Sequence, residues 1–432
     1  MSKKLKRIAI LGLTTVMFLM PTIQASAEET YTQADQYTTN EHIDSKEIVF
    51  IKNSIYTYFD GEFKSIIEEK AVNQDNVICN NKLKELKLLQ HTREALWYKA
   101  LDDVISDYKI DITYKSIDLY GDTCTVNLLK DTSFSFTKSP DINSQEFDNE
   151  HIITLKKINN IWLIENDIDV QINEENSQSQ VKANETNLKK SKIKDTYNIG
   201  NRITDYSLDQ STLKEYNQNM DNQISSLKES ISDIDNEIDD YKELRTKNIA
   251  NTKKLKNSNS IRANSLTSWN EYDWNAAVNY ARGWAYGFNP SYPNFDKSGG
   301  DCTNFVSQAI YAGAPAMNFD SRWYISSVIY GKPWTCVGDF WNFIINNRGA
   351  GPVSVDNTKY LDICMGDPVQ LWNNSAGGYT HTVIVTANDG QGGLAFSSHT
   401  VARRDYSFDS LYAKGIYNYD RERTAHILGY NK

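Results

Sequence analysis

From residue 45 to about residue 172 the apolar positions first recur at helical spacing and then alternate. Ile48, Ile51, Ile55 and Phe59 step by three and four, and a second run over residues 82–105 puts Leu86, Leu89, Trp97, Ala100 and Val104 on one face. Two amphipathic helices are predicted. Alternation follows in residues 110–114, 124–128 and 134–136, with Tyr120-Gly121-Asp122 as a turn, and residues 152–155 and 161–164 flank Asn159-Asn160 as a hairpin. Helices followed by antiparallel strands predict a small α+β domain over residues 45–172.

The pattern changes twice more. Residues 173–268 are rich in Asn, Ser, Lys, Asp and Glu and read as a polar linker, except that Ile224, Leu227, Ile231, Ile234, Ile238 and Tyr241 form an unbroken seam. That seam predicts a coiled-coil-like helix over about 221–245 or a helical hairpin, a spacer that packs on a neighbour or self-associates. Aromatic and glycine density rises at Trp269, where a second globular domain, residues 269–432, begins. Trp274, Ala277, Val278, Ala281 and Ala285 share a helical face, ended by Asn289-Pro290 and Tyr292-Pro293. Ser298-Gly299-Gly300-Asp301 then leads into a helix that buries Phe305, Val306, Ala309 and Ile310, carries Cys302 in its first turn and stops at Gly313. A strand around His381, a turn at residues 388–393, a return strand over 394–400 and a last strand over 424–428 complete the pattern.

Charge and composition narrow the classes. With 46 basic against 56 acidic side chains and a net charge of −10, the chain has no basic stripe for nucleic acid. Lys3, Lys4, Lys6 and Arg7 precede an apolar run from Ile8 to Met20, and Ala25-Ser26-Ala27 fits a cleavage site, so residues 1–27 read as a signal peptide followed by a flexible N-terminus at 28–44. The expected location is secreted, extracellular or associated with the cell wall, with no membrane contact after the leader is removed. Five cysteines are few and odd in number for an exported chain; they form no CxxC pair, and a Cys79–Cys124 bridge is left open. Scattered histidines lend a zinc site no support, and no cofactor is called for.

A thiol at a helix start is favoured as thiolate by the unpaired amides and the positive end of the helix dipole, and the same amides can hold an oxyanion. Cys302 is therefore the candidate nucleophile, although a lone helical cysteine is more often a small buried hydrophobe. His381 opens the strand row His381, Val383, Val385 and is the candidate base. The return strand brings His399 or Ser397 beside it as a third group. Cys336, Cys364 and His426 read as structural. Trp323, Tyr324, Trp334, Trp341 and Trp372 are candidates for a substrate groove, with core positions the ordinary alternative.

The segments Ala276-Ala277-Val278-Asn279-Tyr280-Ala281, Gly299 to Gln308, Gly366-Asp367-Pro368-Val369-Gln370 and Thr380 to Val385 together resemble the amidase domain of secreted proteins from Gram-positive bacteria. That family is related to papain-like cell-wall hydrolases, the CHAP amidohydrolase/peptidases among them. The resemblance covers about residues 270–432. It implies a papain-like α+β domain in which Cys302 is nucleophile, His381 base and His399 the third residue, with Ser397 as the fallback, Asp301 orienting the turn and the Cys302 amide as oxyanion donor. The implied reaction is hydrolysis of an amide bond through a thioester, with peptidoglycan or another wall peptide as substrate. The competing class is a silent wall-binding or scaffold protein on the same fold.

Overall fold

The computed structural model describes residues 38–39, 45–170, 210–255, 269–327, 329–356 and 363–432. The expected leader at 1–27, most of residues 28–44, and the parts of 173–268 that flank the central helices lie outside them.

The N-terminal elements follow the sequence pattern closely. After β1 (Thr38–Thr39), helix α1 (Ser45–Ile67) turns Ile51, Ile55, Tyr58, Phe59, Phe63 and Ile66 inward at helical spacing. Helix α2 (Asn81–Leu101) starts where the Asn80 side chain accepts from Lys82 N and Leu83 N, and stops at Asp102, which takes the left-handed conformation at φ 52°. Four strands then form an antiparallel meander: β2 (Ile105–Tyr120), β3 (Thr123–Phe136), β4 (Asn143–Ile158) and β5 (Ile161–Asp169). Asn159 and Asn160 both have positive φ, the geometry of the tight hairpin expected there.

The central segment differs from a polar linker with one helix. Where the spacing predicts a helix or a helical hairpin over about 221–245, there are two helices, α3 (Gln210–Ser232) and α4 (Ile234–Leu255), separated at Asp233. Asp233 accepts from Glu237 N through its carbonyl and from Asn236 Nδ2 through its carboxylate, so it caps the second helix. The seam residues Ile224, Leu227, Ile234, Ile238 and Tyr241 are buried in the same apolar cluster as α1, α2 and the meander.

Beyond β6 (Trp269–Asn270) come α5 (Trp274–Trp284), α6 (Cys302–Gly313), α7 (Lys332–Thr335), α8 (Val337–Asn346), β7 (Gly351–Asp356), β8 (Pro368–Asn373), β9 (Gly378–Asn388), β10 (Leu394–Ser398), β11 (Ala402–Ser407), α9 (Phe408–Ala413) and β12 (Tyr417–Asn431). Mixed α+β architecture is the result, and its strands join into one largely antiparallel sheet in the order β1-β2-β3-β4-β11-β10-β9-β8-β12-β6, with β5 beside β4 and β7 beside β12. The two halves of the sequence meet where Gln145–Phe147 of β4 pair with Ala402–Arg404 of β11. There the buried Arg403 Nε donates to Glu146 Oε2 at 2.8 Å.

Strand β9 is covered on both sides, which explains its continuous apolar run Val383-Ile384-Val385. Val383 and Val385 join Leu371 and Phe396 in the cluster shared with the N-terminal elements. Ile384 points the other way, into the cluster of Ala277, Phe305, Val306, Ala309 and Phe340 from α5, α6 and α8. Trp323 and Trp334 are fully buried in this second cluster and Trp341 nearly so, so they are core rather than groove. All five cysteines are unbridged, Cys79 and Cys124 included. Among the described residues no helix is long and apolar enough to cross a membrane.

Candidate active site

The turn before α6 is clamped from the end of β10. Gly299 and Gly300 have φ of 111° and 91°, and a Cβ on Gly300 would lie 3.0 Å from Thr400 Oγ1, so glycine is required at position 300 on two counts. Thr400 Oγ1 accepts from Asp301 N at 2.9 Å. Thr400 itself sits at φ 76°, a conformation that strains a β-branched residue, and the strained turn is what aims its hydroxyl at Asp301.

Asp301 is the anchor. Its buried carboxylate accepts from Phe295 N at 2.9 Å, Asn304 Nδ2 at 2.8 Å and His399 Nδ1 at 2.8 Å. His399 Nε2 donates to the Trp284 carbonyl at 2.7 Å, and the ring stacks on Phe305 at 4.1 Å between centroids. Both partners of the ring are acceptors, so both nitrogens donate. His399 thus holds the Cys302 turn to α5, and neither of its bonds goes to His381. Ser397 Oγ lies 3.1 Å from Thr386 Oγ1 and accepts from Asp405 N at 3.3 Å, so the fallback third residue is likewise engaged away from His381.

The polar residues that follow Cys302 are ties. Thr303 Oγ1 lies 3.1 Å from Thr382 Oγ1; Asn304 donates to Asp301 and Pro293 and accepts from Trp334 Nε1; Ser307 accepts from Trp323 Nε1; Gln308 accepts from the Tyr280 hydroxyl. Cys302, 7% exposed, heads this helix, and its amide and those just after it lie at the end where intrahelical acceptors run out.

The Thr303–Thr382 bond joins the residues that immediately follow Cys302 and His381. Helix α6 lies on the Thr382–Ile384 face of β9, whereas His381 keeps the register of Val383 and Val385 and pairs with Leu371 across the ladder. Burial first, and the positive Arg403 second, depress the His381 ring to about 3. It is therefore a neutral imidazole at ordinary pH.

A second cluster escaped sequence reasoning. Asp367 Oδ2 accepts from His426 Nδ1 at 2.9 Å and from Cys364 N at 3.0 Å, and Asp367 Oδ1 accepts from Ile427 N. Donor atoms of Cys364, Asp367 and His426 lie within 4.8 Å of one another, and this thiol, carboxylate and imidazole set is the kind that could hold a divalent metal such as zinc. The Gly366-Asp367 turn and the last strand were both visible in the sequence; that β12 closes beside the turn was not.

Residues 271–427 match the model of a family described as "Putative amidase domain", which points to amide hydrolysis. Two uncharacterised proteins of Bacillus subtilis (strain 168) are similar to the chain. YhbB is 32% identical over 123 residues, 28% of this chain and 38% of its own length. YjcM is 32% identical over 142 residues, 30% of this chain and 32% of its own. The alignment thus spans about a third of each curated relative. No solved structure matches the chain.

Proposed function

We propose that the chain is a secreted, cysteine-dependent amidase or peptidase on a papain-like domain, cutting an amide bond of peptidoglycan through a thioester on Cys302. The head of α6 carries the reading: a thiol at the start of a buried helix whose following polar residues, from Thr303 to Gln308, are committed to partners in neighbouring elements. The family match supports the hydrolytic class. A leader-like N-terminus supports export.

In this mechanism the neutral His381 accepts the Cys302 proton as sulfur attacks the amide carbonyl carbon. The oxyanion rests on the amides of the first turn of α6. Collapse breaks the C–N bond, and the amine leaves with the proton from His381. Water, losing a proton to the same imidazole, then hydrolyses the thioester and restores the thiol. The Thr303–Thr382 bond holds the two backbones side by side, but the His381 ring keeps the register of Val383 on the face of β9 away from α6, so the proton transfer requires the start of β9 to turn that ring toward the thiol. Thiolate and imidazolium form together, so their mutual attraction offsets the burial that otherwise weakens the base.

The test is incubation of the mature protein with purified peptidoglycan and mass spectrometry of the released ends. New amine termini that fall by at least about a thousandfold in Cys302→Ala are expected. Binding of peptidoglycan without cleavage would replace this reading with the silent scaffold.

A further inference from the structure

A second site lies on the far side of the sheet from α6. Helices α1, α2 and α3 with strands β3, β4, β5 and β11 enclose a cavity of about 130 Å³. That is close to the ~150 Å³ engineered cavity that takes up benzene, so one small molecule fits.

The wall is ionic, and most of its charges are spent on one another, Glu62 with Lys414 and Glu146 with Arg403, while Asp167 accepts from the Tyr58 hydroxyl and from His151 Nδ1, which leaves Nε2 as the bare nitrogen of that imidazole. What is left over is specific. Glu94 Oε2, Asn149 Oδ1 and His151 Nε2, on side chains no more than 4% exposed, have no hydrogen-bond partner among the described residues. All three can accept. Each buried acceptor without a donor costs about 1–3 kcal/mol, so the wall lacks donors that a guest can bring. Lys87 and Lys130 also line the cavity; their ammonium groups lie over the rings of Tyr58 and Phe59 at 5.0 and 4.8 Å and make no ion pair among the described residues.

Unmet acceptors beside unpaired lysines call for a guest of two opposite charges. We propose that this cavity binds a small zwitterionic amino acid, its ammonium received by Glu94, Asn149 and His151 and its carboxylate by Lys130 and Lys87. An ammonium group has three donors and no acceptor, the complement of the three bare acceptors. Burial first, and Glu62 second, push the Glu94 carboxyl up to about 7, in keeping with a carboxylate whose neighbouring cation, Lys414 at 3.8 Å, is held more closely by Glu62. A zwitterion adds no net charge to a wall already nearly balanced. The inference is independent of the chemistry at Cys302.

Titration calorimetry on the mature chain tests it, with glycine and alanine as probes and ethylamine, propionate and N-acetylalanine as controls lacking one charge. Saturable heat for the amino acids is expected, with each control at least about tenfold weaker. Glu94→Gln and Lys130→Met should each weaken alanine by about tenfold or more without changing peptidoglycan cleavage. Absence of amino-acid binding, equal binding of the one-charge controls, or unchanged affinity in both folded variants overturns the proposal. If a variant fails to fold, the comparison of alanine with its controls on the unaltered chain decides alone.

Discussion

Thr400 shows how single residues fix the candidate site. Its left-handed backbone costs about 1–2 kcal/mol, and the return is one hydrogen bond to Asp301 N that fixes the turn before Cys302. Thr400→Gly relieves the strain while losing the bond, worth about 1 kcal/mol. Stability should therefore stay within about 1 kcal/mol in urea unfolding while turnover drops about tenfold; a parallel loss of both would assign Thr400 to the fold alone. His399 acts through the same turn, so His399→Gln should reduce turnover far less than His381→Ala, and equal losses would mean that His399 handles the reacting proton. Titration adds a further check. For His426, burial alone would lower the ring, but the bond to Asp367 and the contact with Cys364 override it and raise it to about 11. A raised folded value stabilises fully below the unfolded value of 6.5 and is lost as pH climbs through 11. Unfolding free energy should thus fall across that window by up to about 1.4 kcal/mol per pH unit, and His426→Gln should remove that contribution. His381, depressed to about 3, acts in the opposite sense: its contribution is complete above 6.5 and is lost as pH falls toward 3.

Among the elements, α3 and α4 depart furthest from the sequence pattern. The seam of isoleucine and leucine is plain in the sequence, yet a seam does not say what covers it. Here it is covered by the chain's own α2 and by Tyr412 and Tyr419 near the C-terminus. Arg93 of α2 ties this arrangement together. It is 1% exposed, donates to Ser230 Oγ at 2.9 Å and to the Tyr412 and Ala413 carbonyls, and pairs with Glu237 just past the break at Asp233. Removing a buried, fully bonded cation strands its partners, so Arg93→Ala should cost about 3–5 kcal/mol by denaturant unfolding. A loss under about 1 kcal/mol would mean that the helices hold without it. Gly415 has the same origin, since a Cβ there would meet Arg93 Nε at 3.0 Å at a φ of 71°.

At the scale of the molecule, the junction of β4 with β11 makes one sheet and one shared apolar cluster from segments whose central pair, Glu146 and Arg403, lies 257 residues apart. Far-ultraviolet circular dichroism and tryptophan fluorescence of the protein should therefore report a single coincident unfolding transition. Arg403→Ala, which leaves Glu146 buried without its partner, should lower its midpoint strongly, whereas two separable transitions would show that the halves fold independently.

Local rules made much of this legible. The Asn159-Asn160 hairpin, the helix that begins at Cys302 and stops at Gly313, and the strand from His381 to Val385 followed from spacing, turn chemistry and side-chain period, all of which act over a few residues. So did the choice of Cys302 as the thiol to watch. What the tertiary structure alone decided depends on contacts between distant positions, which no local pattern encodes. It split the central helix and buried its seam inside the chain. It turned His399 toward Asp301, gathered Cys364, Asp367 and His426, and paired β4 with β11. It also left three acceptors without donors around a cavity, because where buried charges find partners depends on which elements meet.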